Sequence, residues 1–193
     1  MPFCESKCPY CAFGSSDDEF KKVSAYFKAL CLDLNFQLKS QNVKEISTIF
    51  FGGGTPSAVN AKFYDEIFSI LAPLCTPKTE ITFEANPNSA NLTWLKHVKN
   101  LGANRISFGA QSFFEDKLKF LGRIHSREQI FKAVENAYAA DGQTLDYTAD
   151  PNDSRNSSNK SWTDKASDVV NDVKDQASSL WDKITDSFSG LFR

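Results

Sequence analysis

Three cysteines, Cys4, Cys8 and Cys11, stand within Pro2–Phe13 in the spacing C-x3-C-x2-C. Whatever the chain folds into has to bring these thiols together in one short loop. A structural zinc ion wants four ligands, and no matching second set of cysteines follows. A [4Fe–4S] cluster usually takes four cysteines too. A three-cysteine loop therefore leaves one iron without a protein ligand, open to a small molecule. The alternative is three thiols that hold no metal. Cys31 and Cys75 sit among apolar residues and read as buried packing thiols. Five cysteines with three crowded into one loop do not make a secreted disulfide framework, so a reducing cytoplasm is expected.

After the polar turn Gly14-Ser-Ser-Asp-Asp, the apolar residues Phe20, Val23, Tyr26, Phe27, Leu30, Leu34 and Leu38 recur at helical spacing, which predicts a helix from Asp17 to Gln41. Glu45–Phe51 is short, β-branched or aromatic, and ends in glycines; it reads as a buried strand. The same reasoning gives a helix over Asn60–Leu74, a strand over Glu80–Glu84, a helix over Asn91–Leu101 and a strand over Arg105–Gly109. Helices over Glu115–Leu121 and Ser126–Ala139 follow. Strands alternating with helices at this spacing imply an α/β fold with a parallel sheet.

In such sheets ligands bind at the C-terminal ends of the strands, and the unusual residues gather there. Phe51 runs into Gly52-Gly53-Gly54-Thr55-Pro56-Ser57, Glu84 into Ala85-Asn86-Pro87-Asn88, and Phe108-Gly109 into Ala110-Gln111-Ser112-Phe113. Consecutive glycines let the backbone pass close to a ligand and expose its polar groups. Each of these residues also has an ordinary reading. The glycines suit a flexible turn, Glu84 a surface carboxylate, Gln111 a loop amide and Arg123 a solvated cation at a helix end.

Taken in order, Pro-Phe-Cys-Glu-Ser-Lys-Cys-Pro-Tyr-Cys-Ala-Phe, Phe-Phe-Gly-Gly-Gly-Thr-Pro-Ser, Glu-Ala-Asn-Pro, Asn-Arg-Ile-Ser-Phe-Gly-Ala-Gln-Ser-Phe and Leu-Gly-Arg-Ile-His-Ser resemble the radical S-adenosylmethionine (SAM) oxygen-independent coproporphyrinogen III oxidase-like family. The resemblance covers Met1–Ala139. It implies that Cys4, Cys8 and Cys11 hold a [4Fe–4S] cluster whose open iron chelates SAM. By the same resemblance Tyr10, Phe13, Gly53, Gly54, Thr55, Glu84, Gln111 and Arg123 bind that cofactor, with Tyr10 near the adenine and Gly53 and Gly54 beside the methionine amino group. Coproporphyrinogen dehydrogenases of this family carry a further cysteine two residues after the third. Here that position is Phe13, which places the chain nearer the haem chaperone-like branch and adds haem as an implied ligand. His125 is expected to serve its motif or cap a helix rather than ligate haem, and His97 to be a solvated helix residue.

In the family the chain normally opens with a strand before Pro-Phe-Cys and goes on to complete a six-stranded partial barrel. Neither part is recognisable here, so an incomplete radical-SAM barrel is expected, with open sheet edges and impaired chemistry. Asp141–Ser161 is polar and low in complexity, as in a disordered linker. From Trp162 to Arg193, residues Trp162, Ala166, Val169, Val170, Val173, Ala177, Leu180, Trp181, Ile184, Phe188 and Leu191 form an amphipathic stripe. The other face carries mostly Asp and Lys. The predicted organisation is thus a core over 1–139, a linker over 140–161 and a separate C-terminal helix over 162–193. Six Asp against three Lys and Arg193 favour packing or self-association of that helix over a membrane surface.

Net charge is −2, which offers no basic excess for nucleic acid, and no apolar run reaches the ~18 residues of a membrane span. Nothing resembles a secretory signal. Three functions remain: a cluster- and SAM-binding protein of the haem chaperone-like branch, a radical-SAM oxidoreductase of haem and porphyrin biosynthesis, or a non-catalytic fragment that associates through its tail.

Overall fold

The chain is α/β, with three parallel strands in the order β1-β2-β3. The computed structural model describes residues 1–142; the greater part of the expected linker and the whole of the expected C-terminal helix lie outside the described residues. The elements run α1 (Val23–Ser40), β1 (Ile46–Phe51), α2 (Tyr64–Leu71), β2 (Cys75–Ala85), α3 (Leu92–Asn100), β3 (Arg105–Phe108), α4 (Glu115–Phe120) and α5 (Arg127–Ala140). Short 3-10 turns, Phe20–Lys22, Ala61–Phe63 and Ala72–Leu74, take up the ends of what the periodicity reads as two longer helices. No helix among the described residues is long and apolar enough to cross a membrane.

Strand alternation decides what each face of the sheet does. Ile49 and Phe51 of β1 and Ile81, Phe83 and Ala85 of β2 point into one core with Phe27, Tyr64, Phe68, Trp94 and Leu95 from the helices. Phe83 is the hub. Its ring is fully buried, stacks on Phe51 at 4.3 Å between centroids, and meets Tyr64 and Trp94 edge-on. Offset and edge contacts of this kind add to the area term. Glu84, next along β2, therefore faces the other way.

Helix starts follow their side chains. Asn91 caps α3 by accepting the Trp94 N–H at 2.9 Å, and the Trp94 indole donates to the Val59 carbonyl at 3.1 Å. Ser126 and Gln129 close a capping box at the start of α5. His97 is not simply solvated: its Nε2 meets Asp65 at 2.6 Å and ties α3 to α2.

β1 departs from the expected buried strand. Among the described residues it is an edge, paired only with β2, and Phe50 is 61% exposed. A groove of about 390 Å³ runs beside it, walled by Leu30, Leu34 and Leu38 of α1. β3 leaves a similar groove of about 400 Å³ toward α5. At the open end of β1, Met1–Phe3 runs alongside the glycines in a parallel pattern. The Met1 nitrogen donates to the Gly52 carbonyl at 2.8 Å, the Gly54 N–H to Met1, and the Thr55 N–H to Phe3 at 2.7 Å.

Candidate functional site

Phe3 anchors the cysteine loop. It is 2% exposed, packed on Phe20 and Tyr26, and the chain then loops out through Cys4, Cys8 and Cys11 before Ser16 returns to bond Pro2 and Cys4. The Lys7 ammonium closes the loop by donating to the carbonyls of Phe13 (3.3 Å) and Ser15 (3.0 Å). Asn88, beyond the end of β2, donates to the Glu5 carboxylate and fastens the loop to the sheet.

This loop roofs a cavity of about 310 Å³ at the C-terminal ends of β1, β2 and β3. Every residue expected from sequence to bind cluster or cofactor lines it: Cys4, Cys8, Cys11, Tyr10, Phe13, Gly53, Gly54, Thr55, Glu84, Gln111 and Arg123. Phe13 and Tyr10 stand at the rim, 62% and 48% exposed. A β-carbon at Gly54 would lie 2.6 Å from the Phe3 carbonyl oxygen, so only glycine lets the two backbones close on each other. Gln111 holds a left-handed φ of +66°. That conformation costs a residue other than glycine about 1–3 kcal/mol and concentrates at functional sites.

Hydrogen-bond donors converge on the sulfurs. The Thr55 hydroxyl lies 3.5 Å from Cys4 Sγ, and Arg123 Nη1 donates to Cys8 Sγ at 3.2 Å. Arg123 Nη2 donates to the Gly109 carbonyl at 2.7 Å, whereas the buried Nε has no partner among the described residues. A guanidinium N–H left unmet in a buried place is costly unless an acceptor arrives. Burial pushes the Tyr10 phenol above its ordinary range, against the pull of Arg123 beside it and with a smaller push from Cys8.

The donor set, three thiols in one short loop, is of the kind an iron–sulfur cluster takes. All three cysteines are free thiols. They line one cavity.

Three contributors were not among the residues expected to bind cluster or cofactor. Asn86 lines the cavity and bonds His125 Nδ1 at 2.9 Å. His125 is 3% exposed, and its Nε2 meets the Ala110 carbonyl at 3.0 Å. It is not the helix cap, a place Ser126 holds, and both its nitrogens are taken by the protein. Lys7 closes the loop. The signals were the Asn-Pro after β2 and the lysine inside the cysteine spacing.

The sequence model of the Radical SAM superfamily matches residues 1–155. Over 141 residues the chain is 35% identical to the heme chaperone HemW of Bacillus subtilis and 37% identical to that of Escherichia coli, covering 71% of this chain and 37% of each relative. It is 31% identical over 138 residues to the mitochondrial radical S-adenosyl methionine domain-containing protein 1 of Bos taurus, covering 70% of this chain and 31% of that one. The chain thus spans about a third of the length of these relatives. In fold it resembles the coproporphyrinogen III oxidase HemN of Escherichia coli, with a TM-score of 0.62 and 23% identity over 72% of this chain and 33% of that one.

Proposed function

The chain belongs to the Radical SAM superfamily, and from that premise we propose that it binds a [4Fe–4S] cluster and SAM and serves haem transfer, as in the haem chaperone-like branch. One observation carries the reading: three free thiols and the cofactor-binding residues of the family meet in one cavity at the ends of three parallel strands.

Cys4, Cys8 and Cys11 would hold the cluster. When bound, that cluster supplies the electron that cleaves the sulfonium of SAM. The protein's own part is to bind and orient. Glu84 offers a carboxylate to the methionine ammonium, beside the backbone of Gly53 and Gly54. Arg123 offers its unpaired Nε–H to the methionine carboxylate. Gln111 presents an amide to the ribose hydroxyls, and Tyr10 and Phe13 present rings to the adenine from the rim. The free thiols suit a reducing compartment such as the cytoplasm.

Haem transfer rests on the likeness to the HemW proteins and on Phe13, a residue without a ligand atom where the oxidase branch has a cysteine. Haem, if bound here, takes its iron ligand from a residue other than His125, whose nitrogens are engaged.

Anaerobic incubation of the full chain with iron and sulfide tests the cluster. About four irons per chain, lost on Cys8→Ala, are expected; a chain that takes up no iron contradicts the reading. A haem titration followed by its absorption band tests the branch, and an unchanged band would leave a SAM-binding protein with no haem role.

A further inference from the structure

The turn between α4 and α5 is built against the cysteine loop. Gly122 backs onto Pro9: a β-carbon there would lie 2.6 Å from Pro9 Cδ, and its φ of +64° is left-handed. Arg123, the next residue, reaches under the loop. Its Nη1 donates to Cys8 Sγ at 3.2 Å and stands 3.5 Å from the Tyr10 hydroxyl. Its Nη2 is pinned to the Gly109 carbonyl and lies 3.4 Å from His125 Nδ1. With Nε2–H donated to the Ala110 carbonyl at 3.0 Å, the neutral His125 ring keeps Nδ1 as an acceptor toward Nη2, and the Asn86 side-chain amide lies 2.9 Å from the same nitrogen.

We propose that Arg123 tunes the reduction potential of the cluster through its N–H···S bond to Cys8, with His125 as the positioning residue that holds the guanidinium there. The proposal rests on the cluster reading above but goes beyond it, since it gives Arg123 a task that does not involve SAM. Adding an electron makes a cluster more negative. A cation and an N–H donor at one of its sulfurs favour that reduced form and raise the potential. The charge sits in a half-buried cavity, where it is screened less than in water. Arginine presents its donors in a rigid fork, so the direction of the bond to Cys8 is built in.

The test uses the full chain loaded anaerobically with iron and sulfide, without SAM, and a redox titration followed by EPR. Arg123→Met is expected to lower the midpoint potential at unchanged iron content. Arg123→Lys, which keeps the charge and loses the fork, should fall between the two, and it decides the matter if Arg123→Met takes up no iron. His125→Ala should shift the potential in the same direction by less. Equal potentials in equally loaded wild type and Arg123 variants overturn the proposal alone. A wild-type chain that takes up no iron overturns the cluster reading and the proposal together, before any variant is compared.

Discussion

The Glu84 carboxylate accepts the backbone N–H of Gly53 at 3.1 Å, joining the end of β2 to the glycine turn after β1. The same bond holds one carboxylate oxygen at the cavity wall and leaves the other for a ligand. The carboxylate is pressed close as well: a β-carbon at Gly52 would lie 2.8 Å from Glu84 Oε2.

Glu84→Gln keeps the shape and an acceptor for Gly53 but removes the charge. A hydrogen bond to a charged group contributes about 1.5–3 kcal/mol, so SAM affinity should fall roughly tenfold to a hundredfold. Anaerobic calorimetry on cluster-loaded protein reads this directly, and iron content should not change.

Gly122→Ala asks a left-handed position to accept a side chain that meets Pro9. The backbone cost alone is about 1–2 kcal/mol, which lowers Tm by a few degrees in a chain of this size. Because the strain falls on Pro9, between Cys8 and Cys11, the iron-loaded variant should also lose iron faster to a chelator than wild type does.

Burial holds His125 below its ordinary pKa, Arg123 pushes the same way, and the Ala110 carbonyl and Glu115 oppose them. The folded protein therefore keeps this imidazole neutral while the unfolded chain binds a proton first as pH falls. Stability contributed by the neutral ring is intact above pH ~6.5 and declines below it. Urea midpoints of the apo chain should drop between about pH 7 and pH 5, and His125→Gln should flatten that slope.

Phe83→Ala removes the ring at the centre of the aromatic core. Large-to-small changes at such sites cost about 3–5 kcal/mol, a large share of the 5–15 kcal/mol that stabilises an ordinary domain. Denaturant titration should show a much lower midpoint or no cooperative transition, and Phe83→Leu a milder loss.

Local pattern made the alternation of strands and helices legible, because Phe27 and its neighbours recur at helical spacing and the β-branched and aromatic run ending at Phe51 marks a strand. It failed where side chains replace backbone pairing. β2 begins at Cys75, well before the expected Glu80, and takes Pro77 within it. There the ladder shifts between Ile46 and Thr48. Thr79 bridges the gap, its hydroxyl donating to the Ile46 carbonyl at 2.7 Å and accepting the Thr76 N–H at 2.9 Å. The site divides in the same way. Cys4, Cys8, Cys11 and the glycines carry their chemistry in their spacing. The hold of His125 on Asn86 and Ala110 depends on three loops meeting, which no single stretch of sequence displays.

The most direct measurement is the EPR spectrum of the reduced, reconstituted chain as SAM is added under anaerobic conditions. A signal from about four irons per chain that changes and saturates with SAM is the expected result, with the change weakened in Glu84→Gln. A cluster whose spectrum ignores SAM would contradict the assignment of this cavity as a SAM site.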